Sequence, residues 1–217
     1  EQQLEQMRSY IGTLKTNLQV LNTTLTIYPA DRINKTDYAL KSIGSRIVQH
    51  SETYTGWYGS WRTFPTNVHR RLFHPTPSPD VILDPVVSPG HCWCFAGSSG
   101  HVTVMLPYAI EPDSFSIDHT PKSISPNFSS APKHVRVFGV VKNHFSESET
   151  LLASYTFDEN GDSVQTFAVD VAKEVDDGAA TPLLFQHYRL HVLDNYGHPD
   201  FTCIYRFRIH GTRKSNE

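Results

Sequence analysis

The chain has no run of about 18 apolar residues, so no helical membrane span is legible in it. It has almost no charge bias either: 19 Lys and Arg against 22 Asp and Glu leave a formal charge of -3. That balance argues against nucleic acid and against an anionic membrane surface as the partner. Motifs that carry chemistry are missing too. There is no Gly-x-Ser-x-Gly, no His-Glu-x-x-His, no phosphate loop and no dinucleotide fingerprint. The acidic residues are scattered through turns without an obvious pair, so the expectation is a protein that is not an enzyme. Cysteine is scarce: Cys92, Cys94 and Cys203 allow at most one intrachain disulfide. The spacing of Cys92 and Cys94 is poor for zinc without a second ligand pair nearby. No secretory signal is visible, and the chain begins at Glu1 rather than Met, which reads as an excised piece with any membrane anchor outside it.

What is present divides the chain into unlike parts. Leu4, Met7, Ile11, Leu14, Leu18, Leu21 and Leu25 follow a 3-4-3-4 spacing. A strict 3.5-residue period with no widening of the stripe favours a coiled coil with other chains over a helix packed on its own domain. Gly12 lies inside this seam and costs about 1 kcal/mol of helix stability, so the helix needs partners. Pro29 ends it. A second helical stretch is expected over 31–43, stopped by Gly44. The reading is therefore a coiled-coil-type helix over 1–28, a short helical connector over 29–50 and a β-rich domain over 51–217.

The β-rich part is read from short apolar runs at 101–106, 114–119, 134–141, 150–157, 164–169, 184–193 and 203–210. Turn signals such as Pro89-Gly90, Gly97-Ser98-Ser99-Gly100 and Asn160-Gly161 separate them. The expected fold is mainly β: an antiparallel, jelly-roll-like β-sandwich preceded by the helix. In the last run Ile204, Phe207 and Ile209 alternate with Arg206, Arg208 and His210, which predicts a strand with one buried and one solvated face. Residues 51–80 carry Tyr54, Trp57, Tyr58, Trp61, Phe64, Leu72 and Phe73 among small and polar residues. That composition suits a flap lying on something apolar, or a loop that caps its own core.

Twelve histidines invite a metal hypothesis. On a strand, however, His187 and His191 stand about 13 Å apart, too far to share one ion. Three sequons occur, at Asn22, Asn34 and Asn127, and give weak support for an oxidising lumen.

Several segments taken together resemble one family. They are Asp37-Tyr38-Ala39-Leu40, Ser51-Glu52-Thr53-Tyr54, Val81-Ile82-Leu83, Pro89-Gly90-His91-Cys92-Trp93, Ile124-Ser125-Pro126, Ser129-Ser130-Ala131-Pro132-Lys133, Gln165-Thr166-Phe167, and Asn195-Tyr196-Gly197-His198-Pro199 running into Thr202 through Gly211. In this order, over about residues 31–212, they are similar to the SUN domain of inner-nuclear-membrane proteins.

That resemblance implies a domain in the perinuclear space, trimeric through its upstream coiled coil, that binds the C-terminal peptide of KASH proteins. The pair forms the LINC bridge between cytoskeleton and nucleus, for nuclear anchorage and migration. It implies that residues 54–80 form the KASH lid, with Tyr54, Trp57, Trp61 and Phe64 toward the peptide. Strand addition of this kind takes affinity from backbone hydrogen bonds and selectivity from side-chain pockets. It also implies a Cys92–Cys203 disulfide bracing a loop at about 81–92. Val81, Asp84, Val86, His91 and Tyr205 there match ligands of a monovalent cation such as potassium, bound mainly through main-chain oxygens. Cys94 would then be the odd, buried thiol. Ser130, Phe201 and Tyr205 match the pocket for the peptide's terminal carboxylate, with His119 beside the peptide. Asn127 is the sequon best matched in position.

Two residues depart from the family pattern. Phe201 stands where tyrosine is frequent, so a donor is missing. His50 stands where some members carry a cysteine bonded to the KASH peptide, so a non-covalent bridge is expected. The alternative reading, from another class, is a jelly-roll carbohydrate-binding module whose aromatics stack on sugar rings.

Overall fold

The computed structural model describes residues 2–27, 33–54, 77–125, 127–142, 146–170, 175–176, 179–180 and 183–214. The chain forms two compact units, residues 1–35 and 36–217. The first is dominated by helix α1, Gln2–Ile27. Met7, Ile11, Leu14, Leu18 and Leu21 all lie on its surface at 50 % exposure or more. These five positions of the seam are therefore uncovered. Thr13 and Thr16 donate their hydroxyls to the carbonyls of Ser9 and Gly12 one turn back, which keeps these polar side chains on the helix surface. No helix among the described residues is long and apolar enough to cross a membrane.

The second unit is an antiparallel β-sandwich. Its strands are β1 (Arg46–His50), β2 (Trp93–Ala96), β3 (Gly100–Asp118), β4 (His134–Lys142), β5 (Glu147–Thr156), β6 (Val164–Ala168), β7 (Val175–Asp176), β8 (Ala179–Ala180), β9 (Phe185–Val192), β10 (Phe201–Ile204) and β11 (Arg206–Thr212). One layer runs in the order β1-β3-β9-β4-β5, and β6 and β11 pair with the second half of β3. The runs 101–106 and 114–119 are thus one strand of 19 residues. Pro107 offers no amide proton, and the register against β9 shifts between Met105 and Ile110. That break lets one strand serve two layers. Trp93, Phe95, Val102, Val104, Leu106, Phe115, Tyr188, Phe207 and Ile209 fill the core between them. Gly211 allows β11 and β3 to meet: a Cβ there would lie 2.2 Å from the Glu111 carbonyl oxygen.

Two expectations need correction. The stretch expected as a helical connector is not one. Over 36–50 it holds only a single 3-10 turn, Lys41–Ile43, followed by strand β1 paired with β3. The unit boundary falls at Thr36, because Asp37 and Tyr38 are tied to the far end of the chain: Tyr38 N–H donates to Ile209 O at 2.9 Å. The last strand is also not half solvated. Arg206, Arg208 and His210 are 1–2 % exposed. Each polar side chain finds a buried partner. Arg206 Nη2 donates to Asp37 Oδ2 at 2.9 Å, and Arg208 Nε donates to Asp118 Oδ1 at 2.8 Å. His210 bonds Ser116 Oγ and the Thr36 carbonyl, each at 2.8 Å.

Candidate functional site

Tyr205 sits between β10 and β11, where two elements of the family-like pattern meet. It is 5 % exposed, and burial raises its phenol above the usual tyrosine range. Its oxygen accepts a hydrogen bond from Gly90 N–H at 3.4 Å and another links it to the Cys92 thiol. Gly90 takes φ +81°, the left-handed region in which glycine carries no steric cost. Tyr205 is thereby anchored to the end of loop 84–92.

The other face of Tyr205 meets His119, ring centroids 4.6 Å apart and edge to face. Phe128 and Phe157 complete the aromatic surround of His119, at 4.8 and 6.0 Å. The His119 Nδ1 donates to the Thr120 carbonyl at 2.9 Å. A carbonyl only accepts, so Nδ1 carries the proton and a neutral ring presents a lone pair at Nε2. Burial holds the imidazole below the usual histidine range, favouring that neutral form. Nε2 is buried with no hydrogen-bond partner among the described residues, and the Thr120 hydroxyl, also buried, faces the Tyr205 phenol. An orphaned buried polar atom costs free energy unless something supplies a partner. Thr120 carried no sequence signal, since a single threonine in a turn is unremarkable until its hydroxyl is found buried.

Ser130 closes the 3-10 turn Phe128–Ser130 and is buried. Its hydroxyl donates to the Asn127 carbonyl at 3.1 Å. The Asn127 side chain caps the turn by accepting from Ser129 N–H, while His198 N–H donates to Ser129 O. Phe201 is half-buried, flanked by His198 at 3.8 Å and Tyr54 at 4.8 Å between ring centroids. Tyr54 N–H donates to Cys94 O and Ala96 N–H to Glu52 O, so residues 52–54 lie along β2. His50, whose ring meets Trp93 at 5.7 Å, stands at the end of β1. Tyr54, Phe201, Tyr205, His119 and the turn bearing Ser130 are thus linked through β2, β10 and their flanks. Trp57, Trp61 and Phe64 lie outside the described residues.

The disulfide differs from the expectation. Cys94 pairs with Cys203, and Cys92 keeps a free, buried thiol. The reason is register: β2 and β10 are antiparallel with Cys203 directly opposite Cys94, Cα atoms 4.1 Å apart. Cys92 precedes the strand, its sulfur 3.7 Å from that of Cys94, and burial pushes its thiol up to about 11.

In the loop itself, Val81 lies in the 3-10 turn Pro79–Leu83, and its carbonyl accepts from Asp84 N–H at 3.1 Å. Arg206 Nη1 donates to Pro85 O at 3.2 Å, and His91 N–H to Ser88 O at 3.0 Å. Val86 is exposed. The loop carries main-chain carbonyl oxygens at 81, 84, 86 and 91 and the Asp84 carboxylate, and its end at Gly90 meets the Tyr205 phenol. This hard, weakly charged set suits an alkali cation better than a transition metal.

Comparison with known proteins identifies the relatives of this arrangement. The Sad1 / UNC-like C-terminal family matches residues 72–213. The chain is 38 % identical over 196 residues to human SUN domain-containing protein 1, covering 88 % of this chain and 23 % of that protein. It is 36 % identical over 214 residues to mouse SUN domain-containing protein 2, covering 96 % and 28 %. The Klaroid protein of Drosophila melanogaster is 34 % identical, covering 89 % and 19 %. The chain therefore spans only about a quarter of these relatives. Among solved structures, a family 32 carbohydrate-binding module from Streptococcus pneumoniae EndoD matches with TM-score 0.53 at 13 % identity, over 82 % of this chain and 100 % of that one. A Bacteroides thetaiotaomicron putative chitobiase fragment matches with TM-score 0.56 at 11 % identity, over 84 % and 95 %. Likeness at such low identity concerns the sandwich alone. Family match and sequence identity over most of the chain agree: this chain belongs to the Sad1 / UNC-like C-terminal, or SUN, domain family.

Proposed function

We propose that this domain binds the C-terminal peptide of a KASH-type protein in the perinuclear space, as the lumenal half of a LINC bridge, and catalyses no reaction. The observation that carries the reading is the buried, unpartnered His119 Nε2 next to the Tyr205 ring. A peptide end brings backbone N–H donors that would satisfy it. Tyr54 and the half-buried Phe201 provide an apolar wall at the root of the segment read as a lid. Residues 52–54 already run as extended backbone beside β2, the geometry from which strand addition starts. Trimerisation through the exposed seam of α1 would bring three sites together and raise their combined strength by avidity. With histidine at position 50 the bridge would be non-covalent.

The loop 81–92 with Tyr205 would hold a monovalent cation such as potassium. Its part would be to stiffen the loop that anchors the Tyr205 phenol through Gly90.

The test is calorimetric titration of a KASH-like C-terminal peptide, as free acid and as C-terminal amide. The free acid is expected to bind at least tenfold more tightly, about 1.4 kcal/mol. Equal binding of both forms would refute a carboxylate pocket, and binding of neither would refute the peptide reading.

A further inference from the structure

His191 has no ligand partner along its own strand, where His187 stands about 13 Å away, but it has one across the sheet. In the β3–β9 register His101 lies directly opposite His191, and both side chains are half-buried. Directly opposed residues of an antiparallel pair share a face, with Cβ atoms about 4.5–5.5 Å apart. The two imidazole rings stand 5.6 Å apart between centroids, at 60° to one another. An ion bonded at about 2.0–2.1 Å to one nitrogen of each ring brings the ring centres to roughly 4.5–5.5 Å. A small rotation of either side chain closes the difference.

We propose that His101 and His191 form a two-imidazole chelate for a divalent transition ion of the zinc, copper or nickel kind, with water in its remaining positions. Imidazole nitrogen selects such ions over magnesium and calcium, which prefer oxygen. Each ring is already held by a neighbour. Ser51 Oγ lies 3.2 Å from His101 Nδ1 and accepts from His101 N–H at 2.8 Å. Its second lone pair can take Nδ1–H, the tautomer that bares Nε2 for the ion. Phe138 meets the His191 ring edge to face at 5.8 Å.

The charge around the pair admits a cation. Arg189 shares this face of β9, and Arg136 lies opposite His191 on β4. Glu147 and Glu149 both bind Arg189, so the local charges balance. Partial burial holds both imidazoles below the usual histidine range, Arg189 adding to the effect at each and His50 at His101. Both rings are therefore neutral, the form that ligates, at neutral pH. A bound ion would tie β3 to β9. Because Ser51 N–H donates to His101 O at 2.8 Å, it would also steady the start of residues 52–54 beside β2.

Calorimetric titration with ZnCl2 at pH 7.5, after chelator treatment and without reductant, tests this. A site of one zinc per chain is expected. His101→Ala and His191→Ala are each expected to weaken it at least tenfold, whereas His187→Ala and Cys92→Ser leave it unchanged. MgCl2 is expected to give no binding heat. Thermal midpoints measured in EDTA and in zinc check the same point in each folded variant: zinc is expected to raise the midpoint of the parent and of neither alanine variant. A chain that takes up no zinc overturns the proposal, as do His101→Ala and His191→Ala proteins that bind as tightly as the parent. So does loss of binding in Cys92→Ser, which would move the ion to sulfur. No peptide enters the assay, so its outcome is independent of the peptide-binding reading.

Discussion

The carboxylate of Asp37 holds the guanidinium of Arg206 at 2.9 Å across 169 residues of chain, with both side chains at most 5 % exposed. Its other oxygen accepts from Ala39 N–H at 2.9 Å and from Ile209 N–H at 3.4 Å. One acidic side chain thus fastens the entry of the β-domain to its closing strand. Removing Asp37 takes the nearer carboxylate from the buried Arg206 guanidinium and leaves it Asp118 at 3.9 Å, and breaking a buried pair in this way costs about 3 kcal/mol or more. Asp37→Ala is expected to lower unfolding stability by that order in urea denaturation. Deleting residues 1–35 should leave the denaturation midpoint nearly unchanged, since Asp37 stays in place. A loss below about 0.5 kcal/mol for Asp37→Ala would show that the pair is not what closes the domain.

This pair also shows where the sequence was legible and where it was not. Alternation over 204–210 predicted a strand, and β11 is one. It could not reveal that Arg206, Arg208 and His210 are buried, because what covers them comes from Thr36, Asp37, Ser116 and Asp118, far away in the chain. The same non-locality hid β1: Arg46–His50 has a mostly exposed pattern and is a strand through pairing with β3. The β2–β10 register, invisible in a Cys-Trp-Cys triplet, decided the disulfide. Within the candidate site, aromatic and hydroxyl residues were found through resemblance. Thr120 was missed because burial, not residue type, makes its hydroxyl notable.

Burial of His119 has a pH consequence. Its folded-state pKa is lowered by desolvation, so the unfolded chain binds the proton more tightly. Stability is therefore expected to rise with pH through the window between the lowered value and about 6.5, and to fall as the ring is forced to charge. His101, His187 and His191 are shifted the same way by partial burial and act in the same direction. Denaturation midpoints at pH 5.5 and 7.5 should differ less in His119→Phe than in the parent, since phenylalanine suits the ring cluster and cannot titrate. An identical pH response in the two proteins would rule out His119 as a contributor.

Phe201 fixes a further expectation, which rests on the peptide reading. Its ring already packs between His198 and Tyr54, so Phe201→Tyr keeps the packing and adds a hydroxyl. A hydrogen bond to a charged acceptor contributes about 1.5–3 kcal/mol. The variant is expected to bind a free-acid peptide about tenfold or more tightly and the amide unchanged. An equal gain for both forms would place the new hydroxyl away from the carboxylate.

Two glycines should respond oppositely to alanine. At Gly211 a Cβ would meet the Glu111 carbonyl oxygen at 2.2 Å and Pro112 Cα at 2.9 Å, both backbone atoms that cannot step aside alone. Gly211→Ala is expected to destabilise the β-domain by about 1–3 kcal/mol, read as a lower thermal midpoint. At Gly12 nothing lies within 4 Å, and the residue sits inside α1 beside an exposed apolar seam. Gly12→Ala should therefore favour the helix by about 1 kcal/mol per chain. If the seam assembles a trimer, that gain counts three times and lowers the concentration at which trimers form. Leu14→Glu, which puts a charge into the seam, should abolish assembly while leaving the β-domain's thermal midpoint in place. Sedimentation equilibrium of the parent and both variants decides it. Monomers at every concentration for the parent and for Gly12→Ala would remove self-association through α1, and three-site avidity with it.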